Sequence, residues 1–236
     1  MTHVTQMLIV QHEDDDPIGL LGERFEELGV SLDVRRGHRG ETIPEDLDPS
    51  RHQGLIVLGG SMGADDDAEH AWLTHTKSLL RWAVTTQDVA VLGICLGHQL
   101  LTSALGGRVG RNPAGRALGL SPVGLLPSGD DDPLLAGTSG ALALQWNDDV
   151  ALELPTAATV LARSPDGAPQ AVRFGSRAWG VQFHPEVDAA TFASWSEVPD
   201  DKAKAAYAAE PALRHTWRPL ADRFTRLCGP SPDRRK

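Results

Sequence analysis

Two cysteines, Cys95 and Cys228, are all that 236 residues contain. That is too few for a disulfide framework in a chain this long, and it points to a reducing compartment. Positive charge is also scarce: 22 basic residues stand against 32 acidic ones, a formal net charge of −10. Only Lys77, Lys202, Lys204 and Lys236 among the basic residues are lysine. The balance argues against nucleic acid as a partner, because phosphates need a basic face. It suits a soluble chain kept dispersed by self-repulsion. Apolar runs stay short, and nowhere do about 18 apolar residues run together, so no membrane span is expected. The first residues have no basic stretch leading into a long apolar one, so no signal peptide is expected and the assigned location is cytoplasmic. Internal repeats and linkers are missing too. The expectation is one domain over 1–236, with a core at about 5–190 and a helical C-terminal extension at about 191–228.

What is present is ordinary globular material, 41% apolar and 23% charged, enough to build a packed core. Apolar strands are predicted at 7–11, 31–35, 55–58 and 89–94. Helices are predicted between them, one from about 20 to Gly29, one at 68–86 and one at 97–105. Continuous apolar strands alternating with helices predict a parallel sheet covered on both faces. From about 108 to 182 the segments become shorter and richer in turns. β-strands are predicted there at 118–126, 142–146, 159–163, 171–174 and 179–183, and the tail from 191 to 228 reads as helix.

The chemistry concentrates at residues 89–101. A buried strand runs directly into a helix, and Cys95 stands at the junction between Gly93 and Gly97. This is the G-x-nucleophile-x-G elbow with cysteine in place of serine. A side chain at either flanking position would crowd the neighbouring strand or helix. The helix aims its positive end at the sulfur and favours thiolate, and the Leu96 N–H points where an oxyanion would form. A cysteine taken at random is structural packing about four times in five; two glycines at these spacings reverse that.

A thiol nucleophile needs a base, and the base needs an orienting group. Gly180-Val-Gln-Phe-His-Pro-Glu186 supplies both: an apolar strand ends in His184, Pro185 stiffens the turn, and Glu186 can hold the imidazole. His98, inside the elbow, competes for the role but reads as packing or as a hydrogen bond supporting the turn. The pair Gly59-Gly60, followed by Ser61-Met62-Gly63, ends a predicted parallel strand, where ligands bind in open α/β sheets. Without a side chain, Gly60 can bring its N–H to an oxyanion.

Together these three pieces resemble the class I, triad-type glutamine amidotransferases, over roughly residues 5–190, and within them a stand-alone member like the glutaminase of GMP synthase. The resemblance implies a flavodoxin-like three-layer α/β/α fold with a central, mostly parallel sheet and an added antiparallel β portion. It implies hydrolysis of the γ-amide of glutamine through a γ-glutamyl thioester. Carried over by position, Cys95 attacks, His184 moves the proton, Glu186 orients His184, and the N–H groups of Gly60 and Leu96 form the oxyanion hole. Gly59, Met62, Gln99, Trp146 and Asn147 become substrate-binding residues. One departure stands out: similar stand-alone members often carry His-Gly-Asp after the tryptophan, where this chain has Asn147-Asp148-Asp149. Asparagine cannot carry charge near neutral pH. The implied partners are a small γ-glutamyl substrate and, if ammonia is passed on, a separate synthase subunit. A γ-glutamyl peptidase and a non-catalytic regulatory subunit of the same fold are the alternatives. Neither a cofactor nor a metal is called for. The acidic triplets at 14–16, 65–67 and 130–132 read as solvated loops, with 65–67 placed to attract a cationic substrate or repel an anionic one. Cys228 reads as an inert residue near a frayed end.

Overall fold

The computed structural model describes residues 6–229. Its first half runs β1 (Gln6–Gln11), α1 (Gly19–Glu27), β2 (Ser31–Arg36), β3 (His52–Val57), α2 (Trp72–Thr86), β4 (Ala90–Ile94) and α3 (Leu96–Ala104). Then follow β5 (Arg108–Arg111), β6 (Ala117–Pro122), a short α4 (Pro127–Asp130), β7 (Leu142–Asn147), β8 (Asp149–Glu153), β9 (Thr159–Arg163), β10 (Pro169–Arg173) and β11 (Ala178–Val181). The helices α5 (Ala189–Ser194) and α6 (Asp200–Leu227) complete the described chain.

Seven strands form the central sheet in the order β2-β1-β3-β4-β11-β10-β9. The first five are parallel, and β10 and β9 extend the sheet antiparallel. The 2-1-3-4 beginning is the flavodoxin-like order, whose switch point lies between β1 and β3. Inner strands are apolar along their whole length because both faces are covered. In β1, Met7 and Ile9 join the core under α1 and α6, while Leu8 and Val10 join the one under α2 and α3. Period-two alternation thus feeds two cores from one strand. On the first face Phe25 of α1 meets Phe224 of α6 edge-on at 6.4 Å, and Arg24 forks onto Asp222 at 3.0 and 2.7 Å. Burying Trp217 completely stabilises this face by about 3–5 kcal/mol relative to alanine.

Two antiparallel ribbons, β5–β8 and β6–β7, stand apart from the sheet. The sequence pattern predicts β7 but not β5 or β8, which begin or end on charged residues and are partly exposed. It also extends β6 to 126, although Gly124 at φ +66° breaks the strand. The second helix begins at Trp72, not 68, and the tail divides into two helices, with Pro211 and Pro219 inside the second. No helix among the described residues is long and apolar enough to cross a membrane.

Candidate active site

The connections leaving β1, β3, β4 and β11 meet at the C-terminal edge of the sheet, where open α/β sheets place their ligands. The joint after β4 is the tightest. Cys95 takes φ +49° and ψ −105°, a region L-residues rarely adopt. Its N–H is held by the Val181 carbonyl at 2.8 Å, and the Gly97 N–H by Leu58 at 3.1 Å. A Cβ on Gly93 would overlap the Gly97 backbone, and one on Gly97 would overlap the Val57 carbonyl. The elbow therefore holds its strained residue by backbone bonds on both sides and by glycine at both flanks. Leu96 heads α3, so its amide stands in the helix's first turn next to the sulfur.

Just beyond β11, His184 pairs in an isolated bridge with Leu144, its N–H bonded to the Leu144 carbonyl at 2.9 Å. Its Nδ1 lies 2.7 Å from Glu186 Oε1, and Glu186 is fully buried. The Cys95 sulfur and the same imidazole line one cleft. Burial alone would lower the His184 pKa. The charges of Glu186 and Cys95 and the hydrogen bonds to both override it and hold the imidazole well above its ordinary value. A thiol, an imidazole and a carboxylate in this order can generate a thiolate–imidazolium pair.

Three residues not singled out from the sequence complete the surroundings. Gln182, two positions before His184 on the same side of the chain, donates to the Cys95 sulfur at 3.6 Å and accepts from Gln99 Nε2 at 3.3 Å. A polar residue inside the apolar run Val181-Gln182-Phe183 was the available signal. Trp195, after α5, sets its ring edge-on to His184 at 4.8 Å and donates to the Asp15 carbonyl at 3.0 Å. Asp16 corrects the reading of its triplet as a solvated loop. It is buried, and its carboxyl, the His184 ring and Glu186 lie within 4.8 Å of one another. Burial first, then the charges of Glu186, Glu13 and Asp15, raise its pKa to about 7 against the pull of His184. Asp132, in the third triplet, is buried as well and accepts from the Trp179 indole at 3.1 Å.

The sulfur opens onto a cleft of about 70 Å³ lined by Glu13, Asp15, Asp16, Trp146, His184 and Trp195, with Gly60 and Ser61 at its edge. A second lobe of about 280 Å³ shares Gly60, Ser61, Cys95 and Trp146, and adds Met62, Gln99, Arg111 and Asn147. Gly59 stands one step back from both lobes, and a Cβ there would strike Asp16 and press on His184. Gln99 and Asn147 both donate to the Asp149 carbonyl at 3.0 Å, while Asn147 Oδ1 is buried with no donor among the described residues. His98 is fully buried against Phe174 at 5.7 Å, and neither ring nitrogen finds a hydrogen-bond partner among the described residues. It packs behind the elbow, so of the two roles read from the sequence only packing applies. Cys228 lies beneath Gly54 and Phe224, and burial pushes its thiol up to about 12.

Comparison with known proteins bears on the family and the fold. The family model for class-I glutamine amidotransferases matches residues 18–194. Gamma-glutamyl peptidase 5 of Arabidopsis thaliana is 32% identical over 69% of this chain, which spans 64% of that protein. One subunit of the glutamine-hydrolyzing GMP synthase of Halobacterium salinarum is 34% identical over 67% of this chain and 76% of its own length. The crystal structure of a glutamine amidotransferase from Thermotoga maritima superposes with a TM-score of 0.84 at 26% identity, covering 97% of this chain and all of that one. On this match, and on the fold that goes with it, the chain belongs to the class-I glutamine amidotransferases.

Proposed function

We propose that the protein hydrolyses the γ-amide of glutamine or of a related γ-glutamyl compound through a thioester on Cys95. The observation that carries this reading is Cys95, strained at the head of a helix, sharing one cleft with a buried His184 that is bonded to a buried Glu186. The Cys95 sulfur attacks the γ-carbonyl, and His184 receives its proton and returns it to the departing nitrogen. Glu186 fixes the imidazole tautomer and offsets its positive charge. The N–H groups of Gly60 and Leu96 receive the oxyanion, a kind of contact that contributes about 3–4 kcal/mol each in thiol and serine acyl transfer. The lobe with Met62, Gln99, Trp146 and Asn147 takes the γ-glutamyl group. A separate acceptor subunit, as the name of the archaeal relative implies for that protein, is one destination for the ammonia.

The test is release of glutamate from glutamine. Wild type is expected to release it and Cys95→Ala to lose at least about a thousandfold in rate. Absence of release by wild type, alone or with added synthase subunits, would exclude glutamine as the substrate. A second reading, γ-glutamyl peptidase, is favoured by one observation. The cleft continues past Cys95 on the His184 side, leaving room for a leaving group larger than ammonia.

A further inference from the structure

The group that returns a proton to the departing nitrogen is His184, so the leaving group must exit into the lobe that His184 lines. Among the described residues, that lobe carries three acids, Glu13, Asp15 and Asp16, and no lysine or arginine. The opposite lobe carries three acids as well, Asp66, Asp148 and Asp149, but there Arg111 pairs with Asp148 at 2.8 Å and with Asp149 at 3.5 Å, and Asp66 accepts from the Gly63 N–H at 2.6 Å. Acids at a cleft rim are ordinarily solvated, and Glu13 is in part engaged, accepting from the Ser61 N–H at 2.8 Å. Asp16 is different. It is 4% exposed, lines the cleft, and has one carboxyl oxygen buried with no hydrogen-bond donor among the described residues. The groups facing it are His184, Glu186, Glu13 and Asp15, and the three carboxyls among them all resist its ionisation. Of these four, the imidazole alone brings positive charge. The apolar part of the wall is two indoles, Trp146 and Trp195, and the Arg116 guanidinium stands over the Trp146 ring at 4.9 Å. Indole walls beside Glu13 and Asp15, and beside an Asp16 carboxyl whose ionisation a nearby cation would favour, suit an alkyl chain that ends in an ammonium group.

Resting on the γ-glutamyl reading above, we infer that the leaving side of this site selects amides whose departing amine carries a second, protonated amino group, that is, γ-glutamyl conjugates of alkyl diamines. The reaction balances without a further reactant. Sulfur displaces the amide nitrogen, which takes the proton lost by Cys95 and leaves as a monoprotonated diamine. Water then cleaves the thioester to glutamate and restores the thiol. A leaving amino acid would instead bring its carboxylate into the acidic lobe, so ordinary γ-glutamyl dipeptides are the disfavoured class.

Three γ-glutamyl amides of equal length test this: those of 1,4-diaminobutane (cationic), n-pentylamine (neutral) and 5-aminopentanoate (anionic). The expected kcat/KM for the cationic amide exceeds that for the neutral one by about tenfold, with the anionic amide lowest. Raising the salt to about 0.5 M should shrink the ratio, and the double variant Glu13→Gln, Asp15→Asn should collapse it severalfold. A neutral or anionic amide cleaved as well as the cationic one overturns the inference while leaving the thioester chemistry intact. So does a ratio that neither salt nor the double variant moves. If neither glutamine nor any of the three amides is cleaved, the γ-glutamyl reading fails and this inference with it.

Discussion

Cys95 and Cys228 are chemically the same side chain placed in opposite circumstances. Cys95 sits beside an imidazole and at the head of a helix, at the wall of an open cleft. Cys228 is walled in by Gly54, Met7 and Phe224, with its thiol pushed up to about 12. Iodoacetamide at pH 7 is therefore expected to label Cys95 and spare Cys228 in the folded protein, by more than about a hundredfold in rate. Peptide mass mapping reads the ratio, and comparable labelling of the two would mean that the site does not activate its thiol. At this scale the sequence was most legible where backbone geometry dictated residue type. Gly93, Gly97 and the His184-Pro185-Glu186 turn declare themselves by spacing. Asp16 and Trp195 did not, because their significance lies in what tertiary packing sets against them. An acidic run before Pro17 looks the same whether its last member is solvated or buried.

Among elements, the joint between β4 and α3 concentrates the strain. Gly97→Ala places a methyl group on the Val57 carbonyl, and the strand cannot retreat because β3 is locked between β1 and β4. The expected cost is about 2–3 kcal/mol, read as a lower denaturant midpoint with unchanged slope. A loss below about 0.5 kcal/mol would show that the joint relaxes more easily than its packing implies. The central strands and the two helices after β3 and β4 were readable from apolar runs and helical spacing. The outlying ribbons were not. Arg108–Arg111 buries little and Asp149–Glu153 buries only the adjacent Val150 and Ala151, so no alternating hydrophobic pattern marks them, and their pairing joins segments far apart in the chain. The tail read correctly as helical, but its break at 195–199, which brings Trp195 over His184, follows from tertiary contact.

For the whole molecule, buried titratable groups set the response to pH. His12 and His98 are fully buried, and desolvation lowers their pKa values to about 3 and about 4 from 6.5. Unfolded, both take up protons as pH falls past 6.5, whereas the folded protein resists. The unfolded state thus binds more protons, and stability falls as pH drops from 6.5 toward 4. Asp16 runs the other way: folded, it keeps its proton up to about 7, and its burial destabilises progressively as pH rises from 3.8 to 7. His98→Leu removes one of the two opposing histidines, so between about pH 7 and pH 4.5 the variant should lose roughly 2–3 kcal/mol less stability than wild type. Denaturant titrations at the two pH values measure this, and equal losses would mean that His98 does not remain neutral in the fold. The strand order has a consequence for how the chain is made. β11 completes the sheet between β4 and β10, yet among the described residues it is the last strand to be synthesised, and His184 and Glu186 follow it. Domains assemble from the N-terminal side as the ribosome delivers them. A chain halted between Cys95 and β11 carries the cysteine without His184 or Glu186 beside it, so on the proposed chemistry its sulfur has no base until the last described strand has been made.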